Sequence, residues 1–319
     1  MSFSSSTKNE LSRIPIEDNC CALAELAALA RMNVTIKISR NNKIVLKFTT
    51  ENAAIARRIF SLIKHIYDTS IEVLVRRNKQ LKKNNNYLVV VNEDGIPEKI
   101  LEDVRFVTET TSYFNPNYAI PEDIVANRCC KRAYIRGAFL GGGSITNPEK
   151  TYHLEFVTSS EEHAKDLSEL INSFGLNSKI VLRKDNYVVY IKEGEQIVDI
   201  LNIIGAHQAL LKLEDIRVLK NVRNNINRLV NCETANLSKT IDASMRQIEN
   251  IKLIEDTIGL NKLPHSLREI AELRLQYREA SLKELGSMLN PPVSKSGVNH
   301  RFRKIEKIAE DLRGDGKNV

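Results

Sequence analysis

Two segments with unusually small side chains constrain the fold of this chain more than any other feature. One extends from Cys129 to Ile145 and the other from Cys20 to Ile36, and both are apolar and helix-forming. In the first, a small residue recurs at every fourth position, at Ala133, Gly137 and Gly141. One side of that predicted helix carries almost no side chain, so a second helix backbone can approach it closely. Ala24 and Ala28 hold the equivalent positions in the other segment, and we predict that the two helices pack together.

The pattern around these helices occurs twice. Leu46–Thr50 matches Leu154–Thr158 at a shift of 108 positions, and the two Cys-Cys pairs are 109 positions apart. In both copies, about 19–106 and 124–206, the helix precedes two strands, a helix, two more strands and a short helix. Self-similarity over this length indicates an internal repeat. We predict an α+β domain over residues 1–206 with the order α-β-β-α-β-β-α in each copy, and a linker at Thr108–Pro121.

Only helices are predicted beyond this domain. A basic helix covers 207–232, and the polar segment Asn231–Asn236 interrupts the helical pattern. An all-helical domain then covers 233–319. At the other end of the chain, residues 1–19 are polar and are predicted to be ordered only near their end.

The C-terminal domain contains a helix-turn-helix pattern. Ser281–Glu284 is a capping box that opens a short helix, and Pro291-Pro292 ends that helix. A longer helix is predicted over Ser294–Leu312. Its apolar side consists of Val298, Phe302, Ile305 and Ala309. A short helix, a turn and a longer second helix are typical of proteins that place the second helix in the major groove of DNA.

The polar side of this arrangement carries the residue types that bind phosphates and base edges. We therefore expect it to contact double-stranded DNA, although an ordinary solvated helix is the alternative. The candidate DNA-binding residues are Ser281, Lys283, Ser294, Lys295, Ser296, Asn299, His300, Arg301, Arg303, Lys304 and Lys307.

The distribution of charge agrees with this expectation. The net charge is +7, of which residues 207–319 carry +5 (20 basic and 15 acidic side chains). An excess of positive charge attracts polyanions. No window approaches the ~18 apolar residues of a membrane span, and the N-terminus lacks the regions of a signal peptide. We expect a cytoplasmic, nucleoid-associated protein that does not bind membranes.

Cofactors and catalytic groups are not indicated by the sequence. Four of the five cysteines form the adjacent pairs Cys20-Cys21 and Cys129-Cys130. Adjacent helix residues point about 100° apart, so neither pair resembles a zinc clip or a redox motif, and we predict reduced thiols. Gly141–Gly143 follows a helix, whereas phosphate-binding loops follow a strand. No nucleophile with a nearby base is evident, so we predict no enzymatic activity, metal, cofactor or small-molecule substrate.

The repeat resembles the LAGLIDADG homing endonuclease fold. Ile135–Ile145 lies over the motif helix of that family, which implies a saddle of two sheets around the central helix pair. The family's motif normally ends in an acidic residue that binds a divalent metal ion, one from each repeat. Here those positions hold Gly142 and Asn33, so the resemblance implies that nuclease chemistry has been lost.

The whole arrangement is similar to the WhiA family of bacterial regulators. The resemblance is most specific at 136–144, Asn231–Asn236 and 281–286. It implies a C-terminal domain like region 4 of sigma factors, which binds promoter DNA. Roles in sporulation, or in cell division and chromosome segregation, are implied as well. The alternative is an interaction scaffold for a division or regulatory protein, with DNA binding secondary.

The saddle itself leaves two interpretations open. In the first repeat, Lys37, Lys43, Lys47 and the basic loop 76–83 favour contact with a nucleic-acid backbone. The second repeat places Glu155 and Asp185 among its basic residues, so the surface is only half basic. Contact with DNA and contact with another protein are both compatible with this pattern.

Overall fold

The computed structural model describes residues 2–38, 43–77, 85–107 and 116–315, with side chains described as far as Arg313. Most of the basic loop 76–83 and of the linker Thr108–Pro121 therefore lies outside the described residues. The chain divides into two compact units, Met1–Lys220 and Asn221–Val319. None of the described helices is long and apolar enough to cross a membrane.

The first unit contains both predicted repeats, each with the expected order of elements. The first repeat consists of α2 (Asn19–Asn33), β1 (Val34–Ile38), β2 (Ile44–Thr50), α3 (Ala53–Tyr67), β3 (Glu72–Arg77), β4 (Asn85–Val91) and α4 (Ile96–Asp103). The second consists of α5 (Arg128–Gly142), β5 (Gly143–Ile145), β6 (Leu154–Thr158), α6 (Glu161–Asn172), β7 (Lys179–Arg183), β8 (Asn186–Ile191) and α7 (Gly194–Ile204).

The two sheets have the same topology. Each is antiparallel and four-stranded, in the orders β1-β2-β4-β3 and β5-β6-β8-β7. Leu46 and Phe48 are fully buried in β2, as are Leu154 and Phe156 in β6. Because side chains alternate along a strand, these residues direct one face of each sheet into a common core. The structure confirms the predicted α+β duplication.

Helices α2 and α5 pack against each other through their small residues, as predicted. A Cβ atom added at Gly137 would collide with the carbonyl oxygen of Glu25 and would lie 2.9 Å from Cβ of Ala28. Ala24 and Ala133 are almost completely buried in the same unit. The absence of a side chain at Gly137 is thus what allows the two backbones to come so close.

A buried charge cluster lies beside this helix pair. Glu25 is fully buried and accepts two hydrogen bonds from Arg58, at 2.7 Å to Oε1 and 2.8 Å to Oε2. Arg136 Nε also donates to Oε2, at 2.9 Å. Arg58 further donates to the carbonyl oxygen of Ile14. The cluster links α2, α3 and α5, and a buried carboxylate requires such partners.

The N-terminal residues are more ordered than the sequence predicts. Helix α1 spans Phe3–Leu11, and Phe3, Thr7 and Leu11 are buried. The polar composition hid this helix because only its buried side is apolar. The carboxylate of Glu10 accepts hydrogen bonds from the backbone N–H groups of Gln208 and Ala209, at 2.7 and 3.0 Å. It therefore satisfies two free backbone donors at the start of the long helix α8 (His207–Thr257).

Helix α8 is a single element from His207 to Thr257. The predicted interruption at Asn231–Asn236 is wrong. Those six residues include neither glycine nor proline, and polar residues cost a helix well under 1 kcal/mol each. The remaining elements are a 3₁₀ turn (Leu260–Lys262), α9 (His265–Gln276), α10 (Leu282–Met288) and α11 (Lys295–Asp315).

Candidate nucleic-acid interface

Helices α10 and α11 both begin at serine side-chain caps. The backbone N–H of Glu284 donates to Ser281 Oγ at 3.3 Å, and Glu284 Oε2 accepts from the backbone N–H of Ser281 at 2.7 Å. These hydrogen bonds hold the pKa of the Glu284 carboxyl below its usual value. Ser294 Oγ accepts from the backbone N–H of Gly297 at 3.3 Å. Both helices thus start at positions fixed by local hydrogen bonds.

The predicted apolar side of α11 forms the core of the second unit. Val298, Phe302, Ile305 and Ala309 are all buried. They pack in one cluster with residues of α8, α9 and α10, namely Ile251, Ile254, Leu267, Ile270, Leu285 and Leu289. The rotation of α11 about its axis is consequently fixed, and its opposite side faces away from the core.

Gly286 allows α10 to pack closely against the turn before α11. The backbone N–H of Val293 donates to the carbonyl oxygen of Gly286 at 2.9 Å. A Cβ atom at position 286 would overlap the carbonyl oxygen of Val293 and lie 3.2 Å from Cγ2 of Val298. Only glycine leaves room for the turn in this position.

Arg274 positions the helix-turn-helix, and it was not among the predicted residues. Its side chain is buried in α9, and its guanidinium carbon lies 5.4 Å from the ring centroid of Phe302. Nη1 donates to the carbonyl oxygens of Ala280 and Arg278, at 2.6 and 3.2 Å. The side chain therefore ties the segment between α9 and α10 to the core residue of α11. The sequence signal that could have suggested this role is a helix end, where basic side chains often bond to free backbone carbonyl oxygens.

Most of the predicted DNA-binding residues lie on the side of the helix-turn-helix away from the core. Ser281 and Asn299 are half-buried. The exposed members are Lys283, Ser294, Lys295, Ser296, His300, Arg303, Lys304 and Lys307. Asn299 and Arg303 also border a groove toward α8 that Arg246 lines. Arg246 is exposed and was not among the predicted residues.

Arg301 differs from the other candidates. Its Nη1 donates to the carbonyl oxygen of Ser266 at 3.2 Å and lies 3.7 Å from Oε2 of Glu269. Both partners belong to α9. Successive helix residues point about 100° apart, which separates Arg301 from the side that Arg303 and Lys307 share. The structure thus gives Arg301 a contact within the domain.

Charge is unevenly distributed along α11. The predicted basic residues end at Lys307, whereas Glu310 and Asp311 follow in the next turn. The N-terminal end of a helix also carries a partial positive charge. Both effects make the first three turns of α11 the part most attractive to phosphate groups.

The saddle does not present a continuous basic surface among its described residues. Lys47 and Leu74 lie on the face of the first sheet opposite Phe48, as the strand register requires. Leu74 is 45% exposed, as is Val181 in the second sheet. Glu155 accepts a hydrogen bond from Ser144 and pairs with His153 at 3.0 Å. This face is therefore a mixture of apolar, basic and acidic groups.

The positions of the motif's metal ligands lie at the ends of the two central helices. Asn33 is the last residue of α2 and Gly142 the last of α5. Asn33 Nδ2 donates to the carbonyl oxygens of Thr49 and Gly141, at 3.2 and 3.4 Å. The side chain of Met32 fills the space where a Cβ of residue 142 would lie. Neither position offers a carboxylate, which hard divalent cations require.

Comparison with protein families matches three consecutive parts of the chain. The WhiA N-terminal LAGLIDADG-like domain matches residues 19–107, the WhiA LAGLIDADG-like domain matches 131–223, and the WhiA C-terminal HTH domain matches 226–309. The matches agree with the duplicated fold and the helix-turn-helix described above.

Individual relatives cover nearly the entire chain. A "Probable cell division protein WhiA" of Alkaliphilus metalliredigens (strain QYMF) is 59% identical over 98% of this chain and 99% of that protein. One of the same description from Thermoanaerobacter sp. (strain X514) is 58% identical over 98% of both chains. The crystal structure of full-length DUF199/WhiA from Thermatoga maritima has a TM-score of 0.60 and 27% identity, over 98% of this chain and 99% of that one. The chain therefore belongs to the WhiA family.

Proposed function

We propose that this protein is a DNA-binding regulator whose helix α11 enters the major groove of duplex DNA. The observation that carries the proposal is the exposed polar and basic side of α11, opposite a fully buried apolar side. The relatives' description as probable cell division proteins supports a role in cell division. More specific versions of the same proposal are a role in chromosome segregation, a role in sporulation control, and association with the nucleoid.

The residues of α11 divide into two roles by chemistry and position. Asn299, His300 and Arg303 lie within the first three turns and have side chains that can bond to base edges. Lys304 and Lys307 are point charges suited to phosphate contact. The first group then determines sequence preference, and the second contributes affinity for any duplex.

Alanine substitutions separate these roles. We expect Asn299→Ala, His300→Ala or Arg303→Ala to cost roughly 1–3 kcal/mol on a specific site and less on random DNA. Lys307→Ala should weaken binding to both DNAs similarly and lower the salt slope by about one unit. Titrations of matched and scrambled duplexes at two salt concentrations measure both effects.

Arg301→Ala is the matched control. It removes the same charge from the same helix, but its guanidinium group contacts α9. We expect it to leave the preference for the specific site unchanged. Equal losses from all of these substitutions on both DNAs would contradict the proposal, because α11 would then be only a basic surface.

We also propose that the protein has no metal-dependent nuclease activity. Asn33 and Gly142 occupy the ligand positions of the motif, and neither can bind Mg²⁺ through a carboxylate. Incubation of the protein with Mg²⁺ or Mn²⁺ and a library of duplexes should yield no cleavage. Cleavage that disappears when an acidic residue of the saddle is replaced would refute this proposal.

A scaffold function is the second candidate, and the exposed apolar residues of α8 favour it. Leu219, Val222, Ile226 and Leu229 recur at helical spacing and are between 51% and 64% exposed. Such a stripe is typical of a surface that binds another protein. Genome-wide crosslinking distinguishes the candidates, because sharp promoter peaks support a transcription regulator and diffuse signal supports a nucleoid-associated or scaffold role.

A further inference from the structure

The four paired cysteines of the first unit come together at one point. Cys20 and Cys21 lie in the first turn of α2, and Cys129 and Cys130 lie in the first turn of α5. One ligand atom from each of the four, its sulfur, lies within 4.8 Å of the other three. The sulfur atoms of Cys129 and Cys130 are 3.9 Å apart. Each pair alone cannot surround an ion, which is why the sequence predicted no metal site.

The spacing of these sulfur atoms fits a single tetrahedral ion. Zinc binds thiolate sulfur at about 2.3 Å, which places the corners of a ZnS₄ tetrahedron about 3.8 Å apart. The 3.9 Å between the sulfur atoms of Cys129 and Cys130 is close to this value, and all four sulfur atoms lie within 4.8 Å of one another. Four thiolates without other donors select zinc among the common divalent ions. We infer that Cys20, Cys21, Cys129 and Cys130 form a structural Zn²⁺ site.

The surroundings suit a negatively charged centre. The N-cap residues of α2 and α5, Asp18 and Asn127, make no side-chain hydrogen bond to the backbone of the first turn. The four cysteines thus lie in the first turns of two helices, which carry free N–H groups and a partial positive charge. Cys130 is buried and Cys21 half-buried, whereas Cys20 and Cys129 are exposed. An ion can thus reach the cluster from solvent.

The site joins the two repeats. Each repeat supplies two ligands, and neither can complete a four-coordinate site alone. A bound ion fastens α2 to α5 at the ends where both helices begin, opposite the ends occupied by Asn33 and Gly142. This function is structural and separate from the contacts proposed for α11, because all four ligands belong to the first unit and α11 to the second.

Metal content tests the inference directly. The full-length protein, purified with a reductant and excess Zn²⁺ and then dialysed, should retain one zinc ion per chain. The double variant Cys20→Ser/Cys129→Ser replaces the two exposed ligands with little disturbance of the core, and we expect it to lose that ion. Cys232→Ser is the matched control, since Cys232 is an exposed cysteine of α8 outside the cluster, and it should keep one zinc ion.

Two further measurements report on the ligands and on stability. Cobalt(II) added to the metal-free protein should give the intense absorption of a tetrahedral thiolate centre, which the double variant should lack. A chelator should lower the melting temperature of the wild type and of Cys232→Ser by several degrees, and should leave that of the double variant unchanged.

Three results would overturn the inference. The wild type retaining no more zinc than the folded double variant excludes the site. The visible absorption of an iron–sulfur cluster would assign the cysteines to a different cofactor. Disulfide bonds among the four cysteines that persist in the zinc-treated, reduced protein would exclude their role as thiolate ligands. Far-ultraviolet circular dichroism verifies that each variant is folded.

Discussion

Replacement of Arg58 by methionine should destabilise the first unit strongly. Arg58 is 4% exposed, and it contacts both carboxylate oxygens of the fully buried Glu25. Without it, Oε1 of Glu25 loses its partner, and only Arg136 remains bonded to Oε2. Removing one member of a buried ion pair typically costs about 3–5 kcal/mol. Arg136 still balances the charge of Glu25, so we expect a loss of about 3 kcal/mol, which comes from the unpaired Oε1 and the lost contacts of Arg58. The carbonyl oxygen of Ile14 also loses its donor.

The expected loss of stability can be measured as a change in melting temperature or in the free energy of unfolding. A loss of about 3 kcal/mol corresponds to a decrease of roughly 9 °C in the melting temperature for a unit of this size. Urea denaturation followed by circular dichroism measures the change in the free energy of unfolding. Arg57→Met is the matched control, because Arg57 is the exposed neighbour on the same helix. It should change stability by no more than about 0.5 kcal/mol.

A triple replacement tests the reasoning itself. Glu25→Leu, Arg58→Met and Arg136→Met together remove every charge of the cluster, and apolar replacements of buried ion pairs are often neutral or stabilising. The triple variant should therefore be more stable than Arg58→Met alone. A loss below about 1 kcal/mol for Arg58→Met, or a triple variant less stable than the single one, would refute the argument.

Three further predictions concern both units. Gly286→Ala should lower the stability of the second unit by roughly 1–3 kcal/mol, because the added methyl group overlaps the carbonyl oxygen of Val293; thermal melting and DNA titration should both show the loss. Burial lowers the pKa of His163 from 6.5 to about 3. The unfolded chain therefore binds this proton below about pH 6.5 while the native state does not, and stability should fall by about 2 kcal/mol as pH decreases to 5. Urea titrations of His163→Gln at both pH values should lack that decrease, and a variant with the wild-type profile would contradict the assignment. A fragment starting near Asn231 should fold alone and bind DNA, more weakly if the basic residues of 212–230 also contribute; an unfolded or non-binding fragment would argue against the boundary.

Local patterns predicted most of the elements of this fold. The recurrence of Ala133, Gly137 and Gly141 indicated the close helix pair, and the contact of Gly137 with α2 confirms it. The period of Val298, Phe302, Ile305 and Ala309 gave the buried side of α11. Where the local signal was weak, the predictions were wrong: polar composition concealed α1 and suggested an interruption in α8.

Periodicity reports which side of a segment is apolar, and it follows from the backbone geometry of that segment alone. It cannot say which distant side chains meet. The charge cluster of Glu25 depends on α2, α3 and α5 meeting at one place. The contacts of Arg274 depend on the ring of Phe302 and the carbonyl oxygen of Ala280 lying beside the same side chain. Cys20 and Cys129 are separated by more than a hundred residues, and each adjacent pair by itself looked like ordinary core thiols. Only the packing of α2 on α5 brought the four sulfur atoms within reach of a single ion.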